Sequence, residues 1–259
     1  MKPISAISYL LLSFSIILAG CGEDKKENET PTAPESDAPK VIFQFSATYN
    51  GTPLQLGEVY TTEQGYRIQI EEMKSYISNI KFYSANDDVV TVKDIALINF
   101  ANPSTIEVEA PVGQFIGMSM GLGVPQNINK NIDPTTYPNS HPLSIQGSTG
   151  MFWTWNTGYI FTKFEGRCDF TGTPGAPLTD PFAFHSGDDY NYRTANFVIT
   201  KNFEKENTYT IPVVLRVEKL IAGPDDPIDL QVDFLTHTSN NPALATRFVN
   251  KLAFAFDAE

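Results

Sequence analysis

Short runs of alternating apolar and polar residues, separated by turn-forming residues, make up most of this chain. Residues 40–50, "KVIFQFSATYN", alternate in this way and lead into Asn50-Gly51, a dipeptide typical of tight hairpin turns. Residues 66–87 and 87–100 follow the same pattern, and the "NDD" between them predicts a second hairpin. Because side chains alternate between the two faces of a strand, each run buries one face of a sheet. With turns about every 8–12 residues, the sequence predicts an all-β fold, a single β-sandwich domain.

Two segments interrupt this pattern. Residues 125–147, "PQNINKNIDPTTYPNSHPLSIQG", are rich in Pro and Asn, and residues 171–181, "TGTPGAPLTDP", are rich in Pro, Gly and Thr. Long connections without regular structure are uncommon in small domains unless they serve a function. We therefore expect two long irregular loops, each leading into a region of unusual composition.

The last part of the chain predicts one more strand and then a helix. "DDPIDLQVDF" at 225–234 has the composition of a strand. After Asn241-Pro242, apolar residues recur at helical spacing at Leu244, Phe248, Leu252 and Ala255. Asn is a favoured N-cap and Pro a favoured first helical residue, so we expect a short C-terminal helix here.

The N-terminal residues indicate export and lipid attachment. Residues 1–20 combine Lys2, a short apolar run and small residues, and "LAGC" places a cysteine directly after the predicted cleavage site. We interpret residues 1–20 as a lipoprotein signal peptide and Cys21 as the lipidated mature N-terminus, which would hold the protein on a membrane. Residues 21–40 carry the lipid and form a polar, disordered tether. Gly22 favours the outer membrane, facing either the periplasm or the cell surface, and residues 41–259 form the β-sandwich domain.

Charge and cysteine content narrow the possible functions. The formal net charge of −12 argues against nucleic-acid binding, which requires a basic surface. With Cys21 lipidated, Cys168 is the only other cysteine and no intrachain disulfide remains. A lone thiol outside the cytoplasm is either buried and inert or a soft metal ligand.

The aromatic residues are concentrated in "GMFWTWNTGYIFTKFEG" at 150–166, which holds Trp153 and Trp155 beside Met151. On a strand, residues two apart share a face, so both indoles are expected on one face. They either fill a core or line a site.

Catalytic motifs do not stand out in this sequence. It contains no GxSxG elbow and no phosphate-binding GxxxxGK[ST] motif. Glu165 is a candidate acid/base group, but no second carboxylate stands at a spacing that defines a catalytic pair. The histidines are His141, His185 and His237; His185 and His237 lie at predicted strand ends, and none forms a local metal-ligand motif. We therefore expect a protein that is not an enzyme.

Several motifs occur in a fixed order along residues 40–257. They are "MKSYISNIKFY" at 73–83, "GLGVP" at 121–125, "HPLS" at 141–144, the aromatic stretch at 150–166, and "FAFHSG" at 182–187. In this order they resemble the MbnP-like family, methanobactin-associated periplasmic proteins that include bacterial lipoproteins.

The resemblance implies a β-rich extracytoplasmic domain that binds copper. In better-known relatives, histidines and a tryptophan oxidised to kynurenine form the copper site, and a diheme enzyme of the cytochrome c peroxidase type oxidises the tryptophan. By motif position, His185 and His141 are the implied ligands, Met151 adds a thioether, and Trp153 or Trp155 is the oxidised or site-lining aromatic residue. The histidine expected next to the modified tryptophan is missing, because that neighbourhood reads Trp-Thr-Trp-Asn. The alternatives are a metal-free surface binding or adhesion module, and a protein that serves chiefly as substrate of the diheme enzyme.

Overall fold

A computed structural model describes residues 36–130, 132–153, 158–223 and 226–259. These residues belong to a unit that spans Ser36–Glu259. The predicted signal peptide, Cys21, residues 22–35 of the tether, and Trp155 lie outside the described residues. No helix within the described ranges has the length and apolar character needed to cross a bilayer.

The regular elements of the described chain are mostly strands. In chain order they are β1 Lys40–Tyr49, β2 Thr52–Pro53, β3 Val59–Thr61, β4 Arg67–Ser84, β5 Val89–Asn99, β6 Ser104–Glu109, β7 Gly113–Leu122, α1 Gln126–Asn129, β8 Phe152–Trp153, β9 Gly158–Asp169, β10 Asp180–Gly187, β11 Arg193–Phe203, β12 Thr208–Arg216, β13 Leu235–Thr236, α2 Pro242–Ala255 and β14 Phe256–Ala258. Single 3-10 turns lie at Pro134–Thr136, Asp189–Asn191 and Val217–Leu220.

The strands form two sheets packed face to face, so the predicted all-β sandwich is confirmed. In the smaller sheet the order is β14-β12-β1-β2, with β6 also paired to β1. The larger sheet runs β11-β7-β4-β9-β10-β13, and β3 and β5 pair with β4 while β8 pairs with β9. Large aromatic and aliphatic side chains from both sheets fill the space between them; Phe43 of β1 and Phe82 of β4, for example, have ring centroids 6.0 Å apart.

The alternation in the sequence corresponds to the burial in the structure. In β1, Val41, Phe43 and Phe45 are buried while the residues between them are partly or fully exposed. The turn at Asn50-Gly51 places both residues at positive φ, 49° and 77°, as a tight hairpin turn requires. The sequence pattern does not specify that β1 pairs in parallel with β12.

The C-terminal helix is confirmed at the predicted position. The Asn241 side chain accepts a hydrogen bond from the Leu244 N–H at 3.2 Å, and Pro242 is the first helical residue. The helix α2 packs against the open side of the core through Leu244, Phe248 and Leu252, with the Phe248 and Phe184 rings 5.2 Å apart.

The strand predicted at 225–234 does not form over its described residues, 226–234. Residues 226–234 are irregular apart from a turn at 230–232, and β13 begins only at Leu235. The Asp229 side chain accepts a hydrogen bond from the Gln231 N–H at 3.0 Å, and the Asp229 carbonyl accepts one from the Asp233 N–H at 2.7 Å. Such local bonds compete with a sheet ladder, and Ile228 and Leu230 are buried without one.

The long loop between β7 and β8 covers the outer face of the larger sheet. Apart from α1 and one 3-10 turn, its described residues are irregular, as predicted. Leu143 is fully buried there, and its carbonyl accepts a hydrogen bond from the Tyr159 hydroxyl at 2.6 Å. The Tyr76 hydroxyl donates to the Pro142 carbonyl at 2.9 Å. The loop thus closes a second, smaller apolar cluster outside the sandwich core.

Candidate functional site

The outer face of the larger sheet carries a group of polar side chains next to the second apolar cluster. They lie where β4, β9 and β10 are side by side. Strand register places Lys163 of β9 directly opposite both Lys74 of β4 and His185 of β10. In the adjacent row, Glu165 of β9 is opposite Glu72 of β4. Because these residues alternate with core residues such as Phe164 and Phe184, they all point away from the sandwich core.

Parallel pairing of β10 with β13 brings a second histidine to this face. Phe184 is paired with Thr236, so His237 follows β13 beside His185, and the two ring centroids are 4.6 Å apart. The turn after His237 is fixed by two hydrogen bonds: the Thr238 hydroxyl donates to the His185 carbonyl at 2.9 Å, and the His237 N–H donates to the Asn240 side chain at 2.6 Å. The two histidines are therefore neighbours because β10 is joined to β13 and the turn after it, two segments distant in sequence.

The two histidines line a pocket whose wall includes aromatic side chains. Its cavity volume is about 290 Å³, and its lining consists of Gly150, Phe152, Trp153, Ile160, Lys163, His185 and His237. Trp153 reaches the pocket because β8 pairs with β9, Trp153 lying opposite Gly158. Its ring lies against Gly187, where an added Cβ would come within 2.4 Å of the indole. A glycine at the end of β10 is thus needed for the indole to lie beside the histidines.

The carboxylate of Glu165 is held on two sides. It is hydrogen-bonded to His185 Nε2, and Lys163 Nζ lies 3.3 Å from the same Oε1. The bond to His185, reinforced by Lys163, outweighs burial and lowers the pKa of Glu165 from 4.5 to about 2. Burial raises the pKa of Glu72, but hydrogen bonds from Lys74 and Lys163 outweigh it and leave that pKa below its usual value.

The imidazole nitrogens that remain are available to a ligand. Within the described ranges, Nδ1 of His185 and both ring nitrogens of His237 have no hydrogen-bond partner. Burial, followed by the neighbouring His185, lowers the pKa of His237, which favours the neutral form of this ring. Neutral imidazole is the form that binds metal.

The distance between the two rings is compatible with one shared metal ion. With metal–nitrogen distances of about 2 Å, two imidazoles on one metal have ring centroids roughly 4–6 Å apart. Among the described residues, no group of three or more His, Cys, Asp and Glu side chains is arranged to hold a metal. The protein therefore offers two imidazole donors beside an indole.

His141, predicted from its motif position, is not brought to this pocket. It lines a different pocket, between the long loop and the Thr91–Ile95 part of β5. Its ring stacks on Tyr137 with centroids 4.3 Å apart, and its Nδ1 accepts a hydrogen bond from the Leu143 N–H at 3.1 Å. Burial, followed by the charge of Lys93, lowers the pKa of this imidazole.

The other predicted residues are divided between core and pocket. Met151 is fully buried in the second apolar cluster and does not line the histidine pocket. Cys168 is buried in the sandwich core, where burial raises the pKa of its thiol to about 12, so it is inert in neutral solution. Of the two tryptophans only Trp153 is described, and it lies at the pocket.

Sequence reasoning did not select His237 as a ligand, nor Glu165 as the partner of His185. A signal was present for His237, because it and His185 both stand at predicted strand ends. Neighbouring parallel strands bring equivalent ends together, but the sequence did not indicate that these two strands are neighbours.

The comparison with models of protein families agrees with the motifs. The sequence model of the MbnP family matches residues 38–241. Among solved structures, MbnP from Methylosinus trichosporium is similar, with 15% sequence identity and a TM-score of 0.49 over 73% of this chain and 79% of that one. No curated protein sequence matches the chain. Since the family match extends over most of the sequence, this chain belongs to the MbnP family.

Proposed function

We propose that this protein is an extracytoplasmic copper-binding lipoprotein that captures, stores or transfers copper and is not itself an enzyme. The observation that carries the proposal is the pair of neighbouring imidazoles, His185 and His237, at a pocket walled by Trp153. The proposal uses His237 where the sequence motifs suggested His141.

The donor set favours copper over other common metals. Imidazole nitrogen suits copper and zinc, whereas Mg²⁺ and Ca²⁺ require several oxygen ligands. Protein zinc sites take at least three protein ligands, and the described residues offer two imidazoles rather than three clustered donors. Cu(I) accepts fewer ligands than zinc, so the two imidazoles of His185 and His237 fit it best.

Trp153 is the residue we expect a partner diheme enzyme of the cytochrome c peroxidase type to oxidise. Its ring lies against Gly187 and lines the same pocket as the two imidazoles, so an altered indole there would be next to the copper. Mass spectrometry of native protein, with the modified peptide sequenced, tests this. An unmodified Trp153 in protein isolated from its native cells would contradict the oxidation.

The location follows from the N-terminal sequence. Lipid on Cys21 would anchor the protein in the outer membrane, and the polar tether would hold the domain in the periplasm or at the cell surface. The described part of the chain begins to join the sandwich at Asp37, whose carbonyl accepts a hydrogen bond from the Glu206 N–H at 2.9 Å. Membrane fractionation of wild type and a Cys21→Ser variant tests the anchor, and equal distribution of both would contradict it.

Copper binding is tested by metal analysis of purified protein after loading with Cu(I), with affinity measured by competition against a chelator. We expect one copper ion per chain in wild type and strongly weakened binding in His185→Ala and His237→Ala. His141→Ala is the matched control, because it removes an imidazole from the other pocket and should bind copper like wild type. No copper on wild type, or equal affinity in all variants, would contradict the proposal.

A second candidate function is a metal-free surface binding module. It is supported by an apolar pocket of about 330 Å³ next to the histidine pocket, which shares Gly150 and Phe152 with it and carries the exposed Ile145. Exposed apolar surface of this kind is typical of interaction sites. A wild-type protein that binds no copper would favour this candidate.

A further inference from the structure

The carboxylate of Glu165 is in direct contact with the ring of His185. It projects from β9, its carboxylate is bonded to Nε2 of His185, and it is absent from the lining of the pocket. The carboxylate therefore contacts the imidazole from a side chain that is not among the pocket-lining residues. It is placed to orient the ring rather than to bind a ligand itself.

The position of Glu165 is fixed by a ladder of charges across two neighbouring strands, β4 and β9. Lys163 Nζ lies 3.3 Å from Glu165 and 3.0 Å from Glu72, and Lys74 Nζ lies 2.5 Å from Glu72. All four side chains are largely buried, from 15% to 29% exposed, so solvent screens these contacts only partly. A carboxylate held at this point cannot easily turn away from His185.

The contact has a chemical consequence for the imidazole. An ionised carboxylate has acceptor atoms only, so the hydrogen bond requires the proton to be on Nε2 of His185. In the neutral ring Nδ1 then carries the lone pair, and Nδ1 has no hydrogen-bond partner among the described residues. A carboxylate behind a ligating histidine also raises the basicity of the ligating nitrogen.

We propose that Glu165 is a positioning residue that selects the Nε2–H tautomer of His185 and so makes Nδ1 the nitrogen that binds copper. This inference rests on the proposed copper-binding function. Beyond that function, it assigns the atom of His185 that binds copper and the residue that determines which nitrogen is used.

The first measurement is the tautomer of His185 in the copper-free protein. With ¹⁵N-labelled histidine the chain gives signals from only 3 residues, which His→Gln variants assign. For the neutral ring, we expect a protonated Nε2 and an unprotonated Nδ1. A neutral ring protonated at Nδ1 would overturn the positioning role.

The second measurement uses Glu165→Gln. The amide can present either its oxygen or its N–H to the ring, so we expect a mixture of both tautomers and a 10–100-fold weaker Cu(I) affinity, the usual cost of losing such a partner. Glu71→Gln is the matched control: Glu71 pairs with Arg167 at 3.0 Å on the same sheet and does not contact His185. It should leave both the tautomer and the affinity unchanged.

The outcomes separate the two proposals. Absence of copper binding in wild type would overturn the proposed function. Copper binding by wild type together with undiminished affinity in Glu165→Gln would overturn the positioning role alone. The tautomer of the wild-type protein decides that role even if the variant fails to fold.

Discussion

The two histidine environments of this protein differ in what their ring nitrogens do. His185 and His237 come from strand ends, and three of their four ring nitrogens have no hydrogen-bond partner among the described residues. His141 lies in the long loop, where its Nδ1 accepts the Leu143 N–H and its ring stacks on Tyr137. His185 and His237 therefore have nitrogens available to a ligand, whereas His141 stabilises the loop in which it lies.

This difference teaches that position in a motif does not determine the role of a histidine. A loop must satisfy its own backbone groups, and a nearby imidazole is a convenient acceptor. In a sheet the ladder already satisfies the backbone, so side chains at strand ends remain free for ligands.

The largest change in stability is expected at Leu143, which anchors the long loop between β7 and β8. Leu143→Ala removes a side chain with 0% exposure from the second apolar cluster and should lower the free energy of unfolding by about 2–5 kcal/mol. Ile145→Ala, two residues away at 63% exposure, should change it by less than about 0.5 kcal/mol. Urea unfolding of both variants measures this, and similar losses would mean that the loop is not anchored at Leu143.

Copper bound by His185 and His237 should stabilise the folded protein. At a free copper concentration 100 times Kd, linkage predicts about 2.7 kcal/mol of added stability. His237→Ala should show little of this gain, while its copper-free stability should be close to wild type because its ring nitrogens have no partner among the described residues. Thermal unfolding with and without copper measures both quantities, and an equal copper-induced rise in Tm in the two proteins would place the metal elsewhere.

A substitution at Gly187 tests whether the Trp153 ring packs against β10. An added Cβ would come within 2.4 Å of the Trp153 ring, so Gly187→Ala should cost about 1–3 kcal/mol by overpacking and shift the fluorescence of the indole. Gly117→Ala on β7 is the control, because its added Cβ would meet its nearest neighbours at 3.6 Å, an ordinary contact distance. If the two variants were equally stable, the indole would not lie against β10.

The smallest effect is expected at the loop histidine. His141→Ala removes the acceptor for the Leu143 N–H and the stack on Tyr137, and should cost about 1 kcal/mol of stability. His141→Asn is a useful second variant, since the amide oxygen can accept the same N–H and should restore part of the loss. Chemical denaturation measures both, and a change of copper affinity in either variant would contradict the separation of the two sites.

Much of the fold was predictable because it is encoded locally. The Asn50-Gly51 turn, the alternation in β1 and the Asn241-Pro242 start of α2 all follow from conformational preferences within a few residues. The failure at 225–234 has a local cause too, since Asp229 forms turn hydrogen bonds that strand composition does not reveal. His185 was selected by motif resemblance, and the structure places it in a pocket with Trp153.

By itself, the sequence determined most of the strands, where the terminal helix begins and which loop is irregular, because alternation, capping and turn residues act over short distances. Only the tertiary structure decided that His237 lies beside His185, that Glu165 contacts the ring of His185, and that His141 belongs to another pocket. The physical reason is that a period of two specifies the face of a strand on which a side chain lies but not the strand that will pair with it. Parallel pairing of β10 with β13 joins segments far apart in sequence, and no local preference specifies that choice.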